Sequence, residues 1–110
     1  MMRLNPTLLL VVLFGAWGGE AFAQSPGERV ARGAEVYRAQ KCQACHSIAG
    51  VGSKRYPLDG VGTKLTEDDI RRWIVAPREM KPTVSKRAYD KLPKADLEAL
   101  VAYLKSLQKQ

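Results

Sequence analysis

Cys42-Gln43-Ala44-Cys45-His46 is the stretch on which the reading of this chain turns. Two thiols three positions apart, followed at once by an imidazole, suit the covalent attachment of one c-type haem. The sulfurs would add to the two vinyl groups of a single porphyrin, and His46 would be carried under the ring to ligate iron. The spacing fits because both thiols must reach neighbouring edges of one flat macrocycle while the imidazole stays on one face. Cys42 and Cys45 are the only cysteines in the sequence and His46 the only histidine. A zinc site would crowd three of its four ligands into five residues, with no second cluster to close the tetrahedron. A structural disulfide is the plain alternative. A redox-active dithiol is the competing chemistry, although it normally needs a βαβ setting that this pattern lacks.

Outward from the motif, the N-terminus reads as a signal peptide over residues 1–23. Arg3 supplies a positive start, Leu8 to Phe14 an apolar run, and Ala21-Phe22-Ala23 small residues at the cleavage positions. The apolar stretch from Leu8 to Trp17 is about half of the roughly 20 residues that a membrane span requires. Cleavage after Ala23 would release residues 24–110 as one domain outside the cytoplasm, with no membrane span. Export agrees with the motif, because bacteria attach c-type haem beyond the cytoplasmic membrane, and the periplasm is the expected compartment. An uncleaved anchor is the alternative.

Charge bounds the partners. The formal net charge is +7, and removal of Arg3 and Glu20 with the signal takes away one charge of each sign. A basic surface steers acidic partner proteins into encounter, an effect that salt weakens. The export signal and the absence of any recognised binding motif speak against nucleic acid. A domain this small buries only a modest core, so haem would serve as staple and as part of the core. The shortage of large apolar residues between Cys42 and Lys64 predicts a poorly folded apo-protein.

Along the mature chain, Ser25-Pro26-Gly27-Glu28 reads as a helix start with a capping box. Val30, Gly33, Ala34 and Tyr37 follow at helical spacing, and this helix should end close to Gln40. The glycine-rich stretch from Ser47 to Gly62 reads as loop. Thr66 caps a short second helix with acids in its first turn, Ile70, Trp73 and Ile74 as its apolar stripe, and Pro77 closing it. Residues 78–92, with Met80 and Pro82, read as a second loop. Lys94 to Gln108 is the clearest helix, carrying Leu97, Leu100, Val101, Leu104 and Leu107, with Lys105 and Lys109 at its C-terminal end to suit the helix dipole. No segment reads convincingly as a strand. The expected fold class is all-α.

With a C-x-x-C-H motif just after an N-terminal helix and an amphipathic helix at the C-terminus, the chain resembles a small class I cytochrome c over about residues 27–107. Gly33 and Tyr37 look like the glycine and aromatic of that family's first helix, and Leu100-Val101-Ala102-Tyr103-Leu104 like its last. The resemblance implies that these helices cross, with Gly33 letting Tyr103 approach. Tyr56-Pro57-Leu58-Asp59-Gly60 is similar to the family's Gly-Pro-x-Leu-x-Gly loop, although Tyr56 replaces the first glycine. It implies that the Pro57 carbonyl accepts the Nδ1–H of His46, and that Trp73 and Tyr56 lie near the haem propionates.

For the sixth iron ligand the resemblance implies a methionine, and Met80 is the only one outside the signal. Relatives with a similar W-I-x-x-P segment place theirs close before an Ala-Tyr pair. Here Ser85, Lys86 and Arg87 precede Ala88-Tyr89, so a five-coordinate or water-bound site, or a neutral Lys86 or Lys81 as ligand, stays open. A closed His/Met site would pass single electrons through the haem edge without bond-making, so the chain reads as a periplasmic electron carrier, monomeric and not an enzyme. Lys41, Lys81 and Lys86 are candidates for the docking rim. A site open to NO, CO or peroxide, in a sensor or weak peroxidase, is the alternative from another class. An electron-transfer subunit of a dehydrogenase or oxidase complex is the third.

Overall fold

The computed structural model describes residues 24–109, so the expected signal peptide lies outside the described residues. Helix α1 spans Pro26–Ala39. Ser25 is extended at its N-cap and its hydroxyl accepts the Glu28 N–H at 3.2 Å, while Pro26, with no N–H to lose, takes the first helical position. The buried residues of α1 are Gly33, Val36 and Tyr37, with Val30 and Ala34 only half-buried. The inward face is therefore rotated slightly from the one the spacing suggested, because it centres on the crossing with the last helix.

That helix, α5, spans Lys94–Lys105, three residues shorter than the apolar repeat implied. Its Leu100, Val101 and Leu104 join Val36 and Tyr37 of α1 in the core, and its buried Ala99 lies against Gly33. Gly33 makes the crossing possible. A Cβ there would lie 2.5 Å from the Tyr103 Cβ and 2.7 Å from the Ala99 carbonyl carbon, closer than real side-chain atoms come. With only hydrogen at Gly33, the Tyr37 and Tyr103 rings meet edge to face, centroids 5.7 Å apart at 66°.

Helix α3, Glu67–Val75, completes the core with Ile70 and Ile74. The Thr66 hydroxyl caps it by accepting the Asp69 N–H at 3.1 Å. Pro77 ends it as the sequence implied, and also opens a one-turn helix, α4, over Pro77–Met80 inside what read as loop. Preceding α3, Val61–Lys64 forms another single turn, α2. The Lys105 ammonium donates to the Gly62 and Leu65 carbonyls, each at 2.9 Å, and so binds α2 to α5 instead of serving its own helix end alone.

The stretch between Ser47 and Gly62 departs from the expectation of plain loop. It contributes to a three-stranded sheet of order β2-β1-β3, with β1 His46–Ile48, β2 Val51–Gly52 and β3 Tyr56–Pro57. Strands this short carry too few residues for any alternation to show. Ala49 (φ 49°) and Gly50 (φ 78°) make the two-residue reversal between β1 and β2, with the positive φ pair that such hairpins need. Asp59 steadies the non-glycine member by accepting the Ala49 N–H at 2.7 Å. The architecture remains predominantly helical, with its first and last helices crossed.

Candidate haem-attachment site

Lys41, just past the end of α1, adopts the left-handed conformation (φ 57°, ψ 37°), and its N–H returns to the Arg38 carbonyl at 3.0 Å. Holding a non-glycine residue there costs about 1–2 kcal/mol. The reversal sends Cys42–Ala44 into one 3₁₀ turn, closed by the Ala44 N–H to Lys41 and the Cys45 N–H to Cys42. In such a turn side chains three apart eclipse, which is the spacing of the two thiols. Both cysteines are free, Cys42 half-buried and Cys45 exposed, so the chain does not form the disulfide considered above. Among the described residues, no group of three or more His, Cys, Asp or Glu gathers to hold a metal, which leaves a zinc reading without its donors.

His46 opens β1 and lies opposite Tyr56 in the parallel pairing with β3. Its Nδ1 is 2.8 Å from the Tyr56 carbonyl. A carbonyl only accepts, so Nδ1 carries the proton and Nε2 keeps its lone pair for a metal. This corrects the expectation that Pro57 supplies that carbonyl. The register sets Pro57 against Ser47, one position on, and puts the Tyr56 carbonyl beside the imidazole. Gly52 closes the other flank, since a Cβ there would sit 3.2 Å from the Gln43 Cβ and collide with the His46 carbonyl.

The sheet thus gathers Cys42, Cys45, His46, Tyr56 and Pro57. Tyr56 is 59% exposed, its ring centroid 6.1 Å from that of His46, so it is placed to flank a group bound there. Trp73 and Met80 come from elsewhere. Trp73 is half-buried on α3, and Met80 is half-buried at the end of α4, which packs on α3.

Three further side chains lie within electrostatic reach of Cys42. Tyr37 is 6% exposed, and its hydroxyl, buried without a hydrogen-bond partner, is pushed up to about 12, chiefly by burial, with Cys42, Tyr103 and Asp59 adding to it. An unsatisfied buried hydroxyl costs about 1–3 kcal/mol. Burial also pushes the Cys42 thiol up, while the Lys86 ammonium draws it down. Lys86 is half-buried, its Nζ 3.1 Å from the Arg87 carbonyl and 5.0 Å from the Tyr89 ring centroid. Burial lowers its ammonium, with Cys42 and Cys45 opposing. Burial likewise raises Tyr89, and both thiols add to that. The sequence reading missed Tyr89 and the Tyr37 hydroxyl as neighbours of the thiols. Tyr89 follows Ala88 in a segment already singled out, but the want of a partner for a hydroxyl has no sequence signature.

Two free thiols on one turn, a bare Nε2 and an orphaned buried hydroxyl suit the planar group, with its polar edges, that the motif implies. The sequence profile of the cytochrome c family matches residues 30–108. The chain belongs to the cytochrome c family. Its cofactor is haem c, bound covalently through the Cys42-x-x-Cys45-His46 motif. Among relatives of this cytochrome c domain, cytochrome c-555 of Methylococcus capsulatus (strain ATCC 33009 / NCIMB 11132 / Bath) is 26% identical over 80 residues, covering 72% of this chain and 65% of that protein. Cytochrome c oxidase subunit 2 of Alkalihalophilus pseudofirmus (strain ATCC BAA-2126 / JCM 17055 / OF4) is 30% identical over 107 residues, covering 86% of this chain and 31% of that protein. The chain therefore spans less than two thirds of either relative's length. No helix of the described residues is long and apolar enough to cross a membrane.

Proposed function

We propose that this cytochrome c is a monomeric, soluble carrier of single electrons between proteins, exported by residues 1–23 with cleavage after Ala23, and that it works in the periplasm without catalysing a reaction of its own. The observation that carries this reading is the His46 imidazole, whose Nδ1 is held by the Tyr56 carbonyl at 2.8 Å beside two free thiols. When bound, haem c supplies one-electron exchange between ferric and ferrous iron. Cys42 and Cys45 would hold it through thioether bonds, each S–H adding across one vinyl double bond. His46 would offer Nε2 to iron, while its bond to Tyr56 fixes the ring. Exposed Lys41, Lys54, Arg55 and Lys81 contribute to a positive surface that steers acidic partners.

A redox titration of the matured protein, followed by stopped-flow oxidation with an acidic redox protein, tests this. We expect a reversible one-electron transition and a second-order rate that falls as salt rises. Turnover of peroxide or NO at rates above that exchange would instead favour the ligand-binding reading. The match to part of an oxidase subunit supports a second reading, in which the domain serves a larger respiratory assembly. Co-purification with membrane oxidase components at moderate salt separates the two.

A further inference from the structure

We propose that Lys86, through Nζ, is the second axial ligand of the haem iron, in place of the Met80 thioether. The inference rests on the haem c reading above and deepens it. Ser85 and Arg87 on either side are exposed, whereas Lys86 is half-buried, so the loop turns this one side chain inward. Lysines are seldom buried unless a partner satisfies them. The ion pairs among the described residues join Arg32 and Arg71 to carboxylates, and none includes Lys86. Its neighbours are the Arg87 carbonyl, the Tyr89 ring and, within electrostatic reach, both haem-attaching thiols. Tyr89 pins this part of the loop, because its N–H donates to the Ile74 carbonyl of α3 at 2.8 Å. Met80, by contrast, closes a turn of α4 in which the Lys81 N–H returns to Pro77 at 3.0 Å.

To ligate iron, Lys86 would release its proton to solvent and offer the freed nitrogen lone pair, with no change of oxidation state.

The test uses the full chain matured with haem, read by the ferric absorption spectrum, by CO binding to the ferrous form and by midpoint potential. We expect a low-spin wild type without the weak near-infrared band of methionine sulfur on iron, unchanged in Met80→Ala. Lys86→Ala should lose the low-spin spectrum and bind CO completely. Lys86→Met should stay low-spin, gain the sulfur band and show a higher potential, since thioether ligation favours ferrous iron; this variant also guards against mere collapse of the loop. A sulfur band in the wild type that vanishes in Met80→Ala overturns the proposal, as does a high-spin wild type or a low-spin Lys86→Ala. Failure of haem to resist acid-acetone extraction would overturn the haem c reading and this proposal together. Retained haem with any of the former results overturns only the ligand assignment.

Discussion

Replacing Gly33 with alanine isolates the contact on which the helix crossing depends. An added Cβ would meet the Ala99 carbonyl and lie 2.5 Å from the Tyr103 Cβ. Neither obstacle is the mobile end of a side chain, so no rotamer change clears the space and α1 must move off α5. Overpacking of this kind costs about 1–3 kcal/mol. Separation also weakens the edge-to-face pair of Tyr37 and Tyr103, worth about 0.5–1.5 kcal/mol beyond its buried area. Against these stands the helix propensity of alanine, about 1 kcal/mol better than glycine. The net expectation is a loss of about 2 kcal/mol, which lowers the melting temperature of a domain this size by roughly 8–16 °C. Urea unfolding of the ferric holoprotein, followed by far-ultraviolet circular dichroism and by the haem absorption, should show a lower midpoint with an unchanged slope. The propensity effect alone has the opposite sign. A Gly33→Ala protein as stable as wild type, or more so, would refute the close-approach argument.

The Arg71 guanidinium lies 2.9 and 2.7 Å from the two Glu98 carboxylate oxygens and holds Glu98 below its ordinary value, so Glu98→Gln should cost about 0.5–1 kcal/mol at neutral pH, a range suited to a partly exposed pair. Because the folded value is lowered, this contribution is present above the ordinary value of 4.5 and is lost as pH falls through the lower one; a gap between variant and wild type that persists in strong acid would contradict it. Lys105→Met should cost about 2 kcal/mol in urea unfolding, since two carbonyls lose a charged donor, and equal stability would show that water replaces the ammonium without loss. A Cys42→Ala/Cys45→Ala chain produced without haem should unfold without a cooperative thermal transition in calorimetry, because its core is small and the Tyr37 hydroxyl stays unpaired; a sharp transition would show that the polypeptide folds unaided.

Whatever depended on neighbours in the chain was legible in the sequence. Ser25 and Thr66 mark helix starts because a cap is a contact three residues long, and Ile70, Leu100 and Leu104 mark inward faces because helical period is local. The haem motif is equally local, being five consecutive residues whose spacing matches one macrocycle. Tertiary structure alone decided which carbonyl meets His46, because the register between β1 and β3 is set by pairing across ten residues, and a shift of one position exchanges Pro57 for Tyr56. It also decided that Lys105 serves α2, and that Lys86 is half-buried between exposed neighbours. Such choices depend on where distant backbone lies, and a half-buried lysine is written with the same letter as an exposed one.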